Sequence, residues 1–252
     1  MQERFSLTGR VVLVTGGTRG IGRAISLQLA RAGARVVANY ARNEEAASQL
    51  AAAAAGESLA IEVLRADLTM PKGQAAVLEC LQNLGGPVSV IHCAATGVHK
   101  PFEQLTVKHW DWTMALNVRA FFELMRALAP ALGEGSMVVV MSSAGARRAV
   151  PHYVTVGSSK GALESLARHL AVELAPRGVR VNILAPGSVL TEAWNTFPDK
   201  EQRLAETLRR VPTGRMVTVE EVADAAHFLC SPAARGLVGH TLIVDGGHGI
   251  LE

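Results

Sequence analysis

Val11-Val-Leu-Val-Thr15-Gly16-Gly17-Thr18-Arg19-Gly20-Ile21-Gly22 is the stretch that decides the fold. Five apolar or β-branched residues run straight into a glycine-rich turn, and a helical pattern begins at its far end. Glycines allow a tight turn and let the backbone come close to a ligand. The helix that follows offers unpaired N–H groups and a favourable dipole to phosphate. A glycine pattern alone is weak evidence, but one lying between a strand and a helix near the start of a chain is specific for a dinucleotide pyrophosphate. The segment therefore assigns Gly16, Thr18, Arg19, Gly20, Ile21 and Gly22 to dinucleotide binding.

The rest of the chain repeats the alternation. Val11–Thr15, Arg35–Tyr40, Leu59–Arg65, Val88–His92, Met137–Met141, Val179–Leu184 and Thr241–Val244 are short, continuously apolar and rich in Val and Ile, as in strands covered on both faces. Helical patterns fall near 21–32, 43–55, 72–84, 105–130, 153–175 and 219–230. Alternating strands and helices predict an α/β fold: a single domain, 1–252, with a Rossmann-type doubly wound parallel sheet of about seven strands and helices on both faces. Right-handed crossovers then gather the carboxyl ends of the strands along one edge, where ligands bind. Residues 187–215 form the one long stretch without a strand. They hold Trp194, Phe197 and Leu204 among charged residues and read as a loop or helical flap over a substrate.

Composition narrows the function classes. The chain has 252 residues, enough for one sizeable core; 49% are hydrophobic, only 4% aromatic, and the formal net charge is +3. That charge is compatible with an acidic ligand and equally with an ordinary surface. No basic run points to nucleic acid. No stretch approaches the roughly 18 apolar residues of a membrane span, and the amino terminus carries no apolar targeting core. The expectation is a cytoplasmic protein. Cys80, Cys93 and Cys230 are odd in number and widely spaced, which suggests neither disulfides nor a metal site. His92, His99 and His109 read as structural or surface residues.

The end of the second strand selects the cofactor. An NAD site places Asp or Glu there, about 20 residues after the glycines, to hold the ribose hydroxyls. Here the residues are Asn39-Tyr40-Ala41-Arg42. Arg42 and Arg19 would bracket a 2′-phosphate, each charge-assisted bond contributing about 1.5–3 kcal/mol. The prediction is NADPH; the alternative is that both arginines are solvated surface charges. Asp67-Leu68 closes the third strand and is placed to meet the adenine.

Taken together, the glycine turn, Asp67, Asn117, Ser142-Ser143, Tyr153 with Lys160, Pro186-Gly187 with Thr191, and Val244-Asp245-Gly246-Gly247 resemble the short-chain dehydrogenase/reductase family over essentially the whole chain. Asn39-Tyr40-Ala41-Arg42, His109-Trp110-Asp111-Trp112-Thr113-Met114, Tyr153-x6-Lys160 and Gly214-Arg215-Met216-Val217 resemble its NADPH-dependent enoyl-acyl carrier protein reductase III branch, of bacterial fatty-acid synthesis. The resemblance implies that Lys160 binds the nicotinamide ribose and that Asn117 supports that lysine. It implies that Thr191, with Pro186, Gly187 and Val189, meets the nicotinamide carboxamide, and that the chain forms a homotetramer. The family's Asn-Asn-Ala-Gly after the fourth strand is His92-Cys93-Ala94-Ala95 here, so cofactor contacts at Cys93 and Ala94 would run through backbone. Ser143 has two readings: it polarises substrate, or it merely finishes the fifth strand.

One departure bears on the reaction. Most members carry a tyrosine four residues before the lysine; here that position is Val156, and the nearest tyrosine is Tyr153, seven residues upstream. Ketone reduction needs an acid beside the carbon that takes the hydride. Enoyl-thioester reduction sends hydride to the β-carbon and develops negative charge on the thioester oxygen, two bonds further away, so the donor must move with the charge. An aimed hydroxyl there acts as an oxyanion donor, for about 3–4 kcal/mol. Seven helical residues rise about 10 Å, so Tyr153 should stand at or before the helix start, with its ring curled toward Lys160, whose charge should lower the tyrosine pKa. The resulting expectation is an enoyl-thioester reductase, its substrate carried on acyl carrier protein. Trp194 and Phe197 would cover the acyl chain. Lys200, Arg203, Arg209 and Arg210 either meet the acidic carrier or form a solvated helix face. The alternatives are a carbonyl (3-oxoacyl) reductase, a secondary-metabolism enoyl-CoA reductase, and a silent dinucleotide-binding regulator.

Overall fold

A computed structural model describes residues 2–191 and 200–250. Seven parallel strands, β1 (Val11–Thr15), β2 (Arg35–Tyr40), β3 (Ile61–Arg65), β4 (Val88–His92), β5 (Met137–Met141), β6 (Arg180–Pro186) and β7 (Thr241–Val244), lie in the order β3-β2-β1-β4-β5-β6-β7. The order reverses between β1 and β4, whose registers bring Thr15 opposite both Asn39 of β2 and His92 of β4. A crevice opens at such a reversal, beyond the carboxyl ends of the strands.

The uniformly apolar strands follow from having two cores. Val11 and Leu13 of β1 face one, with Phe121, Leu124 and Leu163; Val12 and Val14 face the other, with Ile25, Leu29 and Val222. All five residues of β1, β4 and β5 are buried. Helices α1 (Gly20–Arg31) and α8 (Val219–Cys230) cover one face. The other is covered by α3 (Pro71–Leu84), α5 (Ala120–Leu128) and α6 (Val154–Leu174). Local chemistry fixes several ends: Asn43 caps α2 (Glu44–Gly56) by accepting from the Ala46 N–H at 2.9 Å, and Thr218 with Glu221 forms a capping box on α8.

Three boundaries differ from the sequence pattern. The third strand starts at Ile61 because the Leu59 N–H closes the end of α2 by donating to Ala54. The single helix expected over 105–130 is divided: α4 (Val107–Met114) leads into a π-helical stretch, Ala115–Arg119, before α5. In the 187–215 flap the described part contains α7 (Lys200–Arg210). Trp194 and Phe197 lie outside the described residues. Among those described, no helix is long and apolar enough to cross a membrane.

Candidate active site

A cleft of about 1910 Å³ follows the carboxyl edge of the sheet from the glycine turn to Tyr153. At its floor Gly16 and Gly20 adopt φ of 64° and 51°, in the left-handed region open to glycine. A Cβ on Gly22 would run into the Gly16 carbonyl, so helix α1 can cross the turn this closely only without a side chain there. Arg19 stands at the N-cap with no side-chain cap bond, and the first turn of α1 holds no acid. That helix end keeps its N–H groups and its dipole available to an anion, and the close backbone approach suits a dinucleotide.

Beside the turn, β1 and β4 are tied by an unusual pair. The Thr15 hydroxyl lies 2.9 Å from His92 Nδ1 and accepts from the Ala94 N–H at 3.1 Å, while the Cys93 N–H donates to the Thr15 carbonyl at 3.1 Å. The Thr15 hydroxyl and Nδ1 share one hydrogen between them, its donor set by the tautomer of the neutral ring. Burial, with help from the Lys160 charge, pushes the His92 pKa down to about 3. His92 thus does the tethering expected of an asparagine here, and its ring rests 4.8 Å from Phe121. Burial raises the Cys93 pKa to about 12, so that thiol packs and does not attack.

The adenosine end shows one reassignment. Asn39 lines the cleft, but its buried Nδ2 donates to the Ala66 carbonyl at 2.9 Å, so the side chain braces β2 against β3 rather than reaching for a ligand; its backbone carbonyl accepts from the Gly17 N–H. Tyr40 and the exposed Arg42 form the rim. Asp67 accepts from the Thr69 hydroxyl at 2.7 Å and N–H at 3.0 Å; those bonds, then the Arg42 charge, hold its pKa below the usual value. Leu68 is buried beside it. Pro186, Gly187 and Val189 line the opposite wall, where the Thr191 methyl comes within 3.7 Å of a Cβ built on Gly20.

At the far end, Lys160 is buried and donates to the Met141 carbonyl at 2.6 Å. Burial brings its pKa down to about 8. Asn117, in the π-helical stretch, is fully buried. Its amide nitrogen donates to Ser159 Oγ at 2.8 Å and to the Thr96 carbonyl at 2.9 Å, and its Oδ1 accepts from the Thr96 N–H at 2.8 Å. It therefore joins the residue next to Lys160 to the loop that leaves β4. Such π-bulges often occur where a side chain is turned to a task.

Tyr153 is the N-cap of α6, outside its hydrogen-bonded ladder apart from a carbonyl that accepts from the Gly157 N–H. Its hydroxyl donates to Ser143 Oγ at 3.4 Å. The expected acidification by Lys160 does not occur. Burial raises the Tyr153 pKa and outweighs the Ser143 bond, while the ammonium is tied to the Met141 carbonyl. Val156, in the position one turn before the lysine, is buried and packs so closely on Gly97 that its methyl takes the place of any Cβ there.

Several site residues carry no local sequence signal. Glu164 is buried, accepts from Ser142 Oγ at 2.6 Å and from Arg147 Nε at 3.0 Å, and so fixes the loop after β5. Gly145 and Gly157 lie against the Tyr153 ring. His99, expected to be structural or superficial, stacks on that ring at 5.4 Å and 13°. His109 is structural, closing the capping box of α4 with Thr106. Among the described residues, no three His, Cys, Asp or Glu side chains gather as metal ligands.

Comparison with known proteins agrees with this geometry. The family profile described as "Enoyl-(Acyl carrier protein) reductase" matches residues 16–249. The chain is similar to 1-cyclohexenylcarbonyl-CoA reductase of Streptomyces collinus, 35% identical across 99% of this chain and 90% of that protein. It is also similar to a hydroxynaphthalene reductase-like protein of Metarhizium robertsii, 32% identical across 96% of each. A gluconate 5-dehydrogenase of Burkholderia cenocepacia, solved with NADP and tartrate, superimposes with a TM-score of 0.91 at 30% identity, over 100% of this chain and 99% of that one.

Proposed function

Because the chain belongs to the short-chain dehydrogenase/reductase family and is an oxidoreductase, we propose that it uses NADPH to reduce the 2,3-double bond of an enoyl thioester. The observation that carries this reading is the displaced donor. Val156 fills the position one turn before Lys160, and Tyr153 stands instead at the helix N-cap, with its hydroxyl at Ser143.

The residues fit the cofactor. The open end of α1 and Arg19 would take the phosphates, Arg42 the 2′-phosphate, Asp67 the adenine side, and Thr191 the carboxamide. Lys160, charged over most molecules near neutral pH, would hold the ribose hydroxyls. Bound NADPH supplies a hydride to the β-carbon. The electron pair of the double bond then moves onto the thioester oxygen. Tyr153 would stabilise that enolate with its O–H and lend it the proton, which returns to the tyrosine as the thioester carbonyl re-forms and solvent delivers a single proton to the α-carbon, giving the saturated thioester. A tyrosine of raised pKa suits this part, because it stays protonated until negative charge appears in front of it. The pairing of Tyr153 with Ser143 also favours a second reading. Two hydroxyls on one oxygen suit carbonyl reduction, and the chain is also similar to a hydroxynaphthalene reductase-like protein and to a gluconate 5-dehydrogenase.

For the carrier, we propose acyl carrier protein, in keeping with the profile description, with coenzyme A as the competing form named in the Streptomyces relative. Lys200, Arg209 and Arg210 of α7 would meet the acidic carrier. The family implies a homotetramer. An exposed aromatic face along α4 and α5, with Trp112 and Phe122 beside Arg119, offers one contact for it. The test is NADPH oxidation with crotonoyl and acetoacetyl thioesters, each on both carriers, by wild type and Tyr153→Phe. Turnover of the crotonoyl thioester alone, lost in the variant, is expected; turnover of the acetoacetyl thioester alone would replace the enoyl reading with the ketone one.

A further inference from the structure

We infer that His99 is a positioning residue: it closes a clamp that, with Gly145 and Gly157, sets the plane of the Tyr153 ring and aims its hydroxyl. The inference rests on Tyr153 being the donor. A tyrosine within the ladder of α6 would be held by the helix itself, but Tyr153 precedes the helix. Its backbone sits at φ −118° and ψ 15°, directly after His152 at φ 60°. Its bond to Ser143 is long, 3.4 Å, and so fixes the ring only weakly by itself.

The rigidity comes from what the ring touches. A Cβ at Gly145 would stand 2.5 Å from both Cδ1 and Cε1 of Tyr153, so the ring's edge lies against bare backbone there. At Gly157 a Cβ would stand 3.4 Å from Cδ1 and 2.8 Å from the Gly145 carbonyl, so the two glycines pack together beside the ring. The His99 imidazole stacks on the ring nearly parallel, its centroid 5.4 Å away.

The loop that presents His99 is itself anchored. Asn117 grips both the N–H and the carbonyl of Thr96, three residues earlier, and Gly97 packs under Val156. The amide that supports the lysine side of the site therefore also supports the tyrosine side, through His99. The stack, rather than the acid–base chemistry of the imidazole, is the property required. A flat ring of any aromatic kind at this position would serve, and a small aliphatic side chain would not.

The experiment compares wild type, His99→Ala, His99→Phe and Gly145→Ala with Tyr153→Phe, using whichever thioester the wild type reduces. It measures kcat, KM and NADPH affinity in the full-length protein. His99→Ala and Gly145→Ala should lower kcat about tenfold or more, as expected for a reacting group misaimed by a fraction of an ångström to an ångström, with NADPH affinity held within about twofold. His99→Phe should recover most of the loss. Full kcat in His99→Ala would overturn the inference. So would equal damage to kcat and NADPH affinity, or a His99→Phe variant as slow as His99→Ala. Retained activity in Tyr153→Phe would sink the donor assignment instead. A wild type that reduces neither thioester would remove both.

Discussion

Replacing Lys160 with methionine should abolish turnover and yet make the cofactor-free protein more stable near neutral pH. The ammonium is buried, and burial moves its pKa from 10.5 to about 8. A difference of about 2.5 units at 1.36 kcal/mol each places the cost of carrying that charge in the fold at about 3 kcal/mol. Methionine fills similar space without the charge but loses the charge-assisted bond to the Met141 carbonyl, worth about 1.5 kcal/mol or more, so the net gain is at most about 2 kcal/mol. The sign changes with pH. The folded lysine pKa is depressed, so the wild type bears the full penalty below about pH 8 and sheds it as the pH rises to about 10.5. The advantage of the variant therefore shrinks by about 1.4 kcal/mol per pH unit across that window and ends slightly negative. Cys80 and Cys230, with pKa values raised to about 11 and about 12, make folding weaken as the pH climbs above their ordinary value of 9.0, but equally in both proteins. Urea unfolding of wild type and Lys160→Met at several pH values, without NADPH, provides the difference directly. A wild type that is the more stable near neutrality, or a difference that does not vary with pH, would refute the claim that the site holds a buried charge at a cost to the fold.

Three further outcomes follow from the same site. NADPH affinity should fall as the pH rises through about 8, by up to about tenfold per unit, as Lys160 loses its proton; a fluorescence titration of Kd against pH checks this, and a flat profile would dissociate the lysine from cofactor binding. Arg42→Ala should reduce the preference for NADPH over NADH by about tenfold or more, read from kcat/KM with each cofactor; an unchanged preference would return Arg42 to the solvated surface. His92→Asn should make the protein more resistant to acid. The folded His92 pKa of about 3 lies below its ordinary 6.5, so its contribution is whole above about pH 6.5 and is lost as the pH falls toward 3. Acid unfolding monitored by circular dichroism should shift to lower pH in the variant, and an unshifted curve would mean that His92 is not held neutral.

Much of the fold could be read because its physical causes are local. Strands covered on both faces need unbroken apolar runs, and β1, β4 and β5 have them; the α1 turn needs its glycines in order along the chain. Part of the candidate site was legible for the same reason. Gly16–Gly22, Lys160, Asn117 and Tyr153 all line or support one cleft. What escaped depends on groups far apart in sequence. Nothing near His99 marks it as the neighbour of Tyr153, since the stack forms only when the loop after β4 meets the start of α6. The inward turn of Asn39 depends on where the Ala66 carbonyl falls across β3. The acidity expected of Tyr153 failed for a related reason: sequence spacing shows that a lysine is near but not that a carbonyl holds it or that burial outweighs its charge. The π-helical break at Ala115–Arg119 likewise lies in a segment whose composition favours an unbroken helix.

The contact between Gly97 and Val156 couples the loop after β4 to the head of α6. A Cβ at 97 would run into the valine methyl, so position 97 takes no side chain while the valine is in place. Any side chain placed at 97 must therefore displace either the loop that carries His99 or the valine in the first turn of α6, so the two segments that meet at Tyr153 are fitted to each other through this contact.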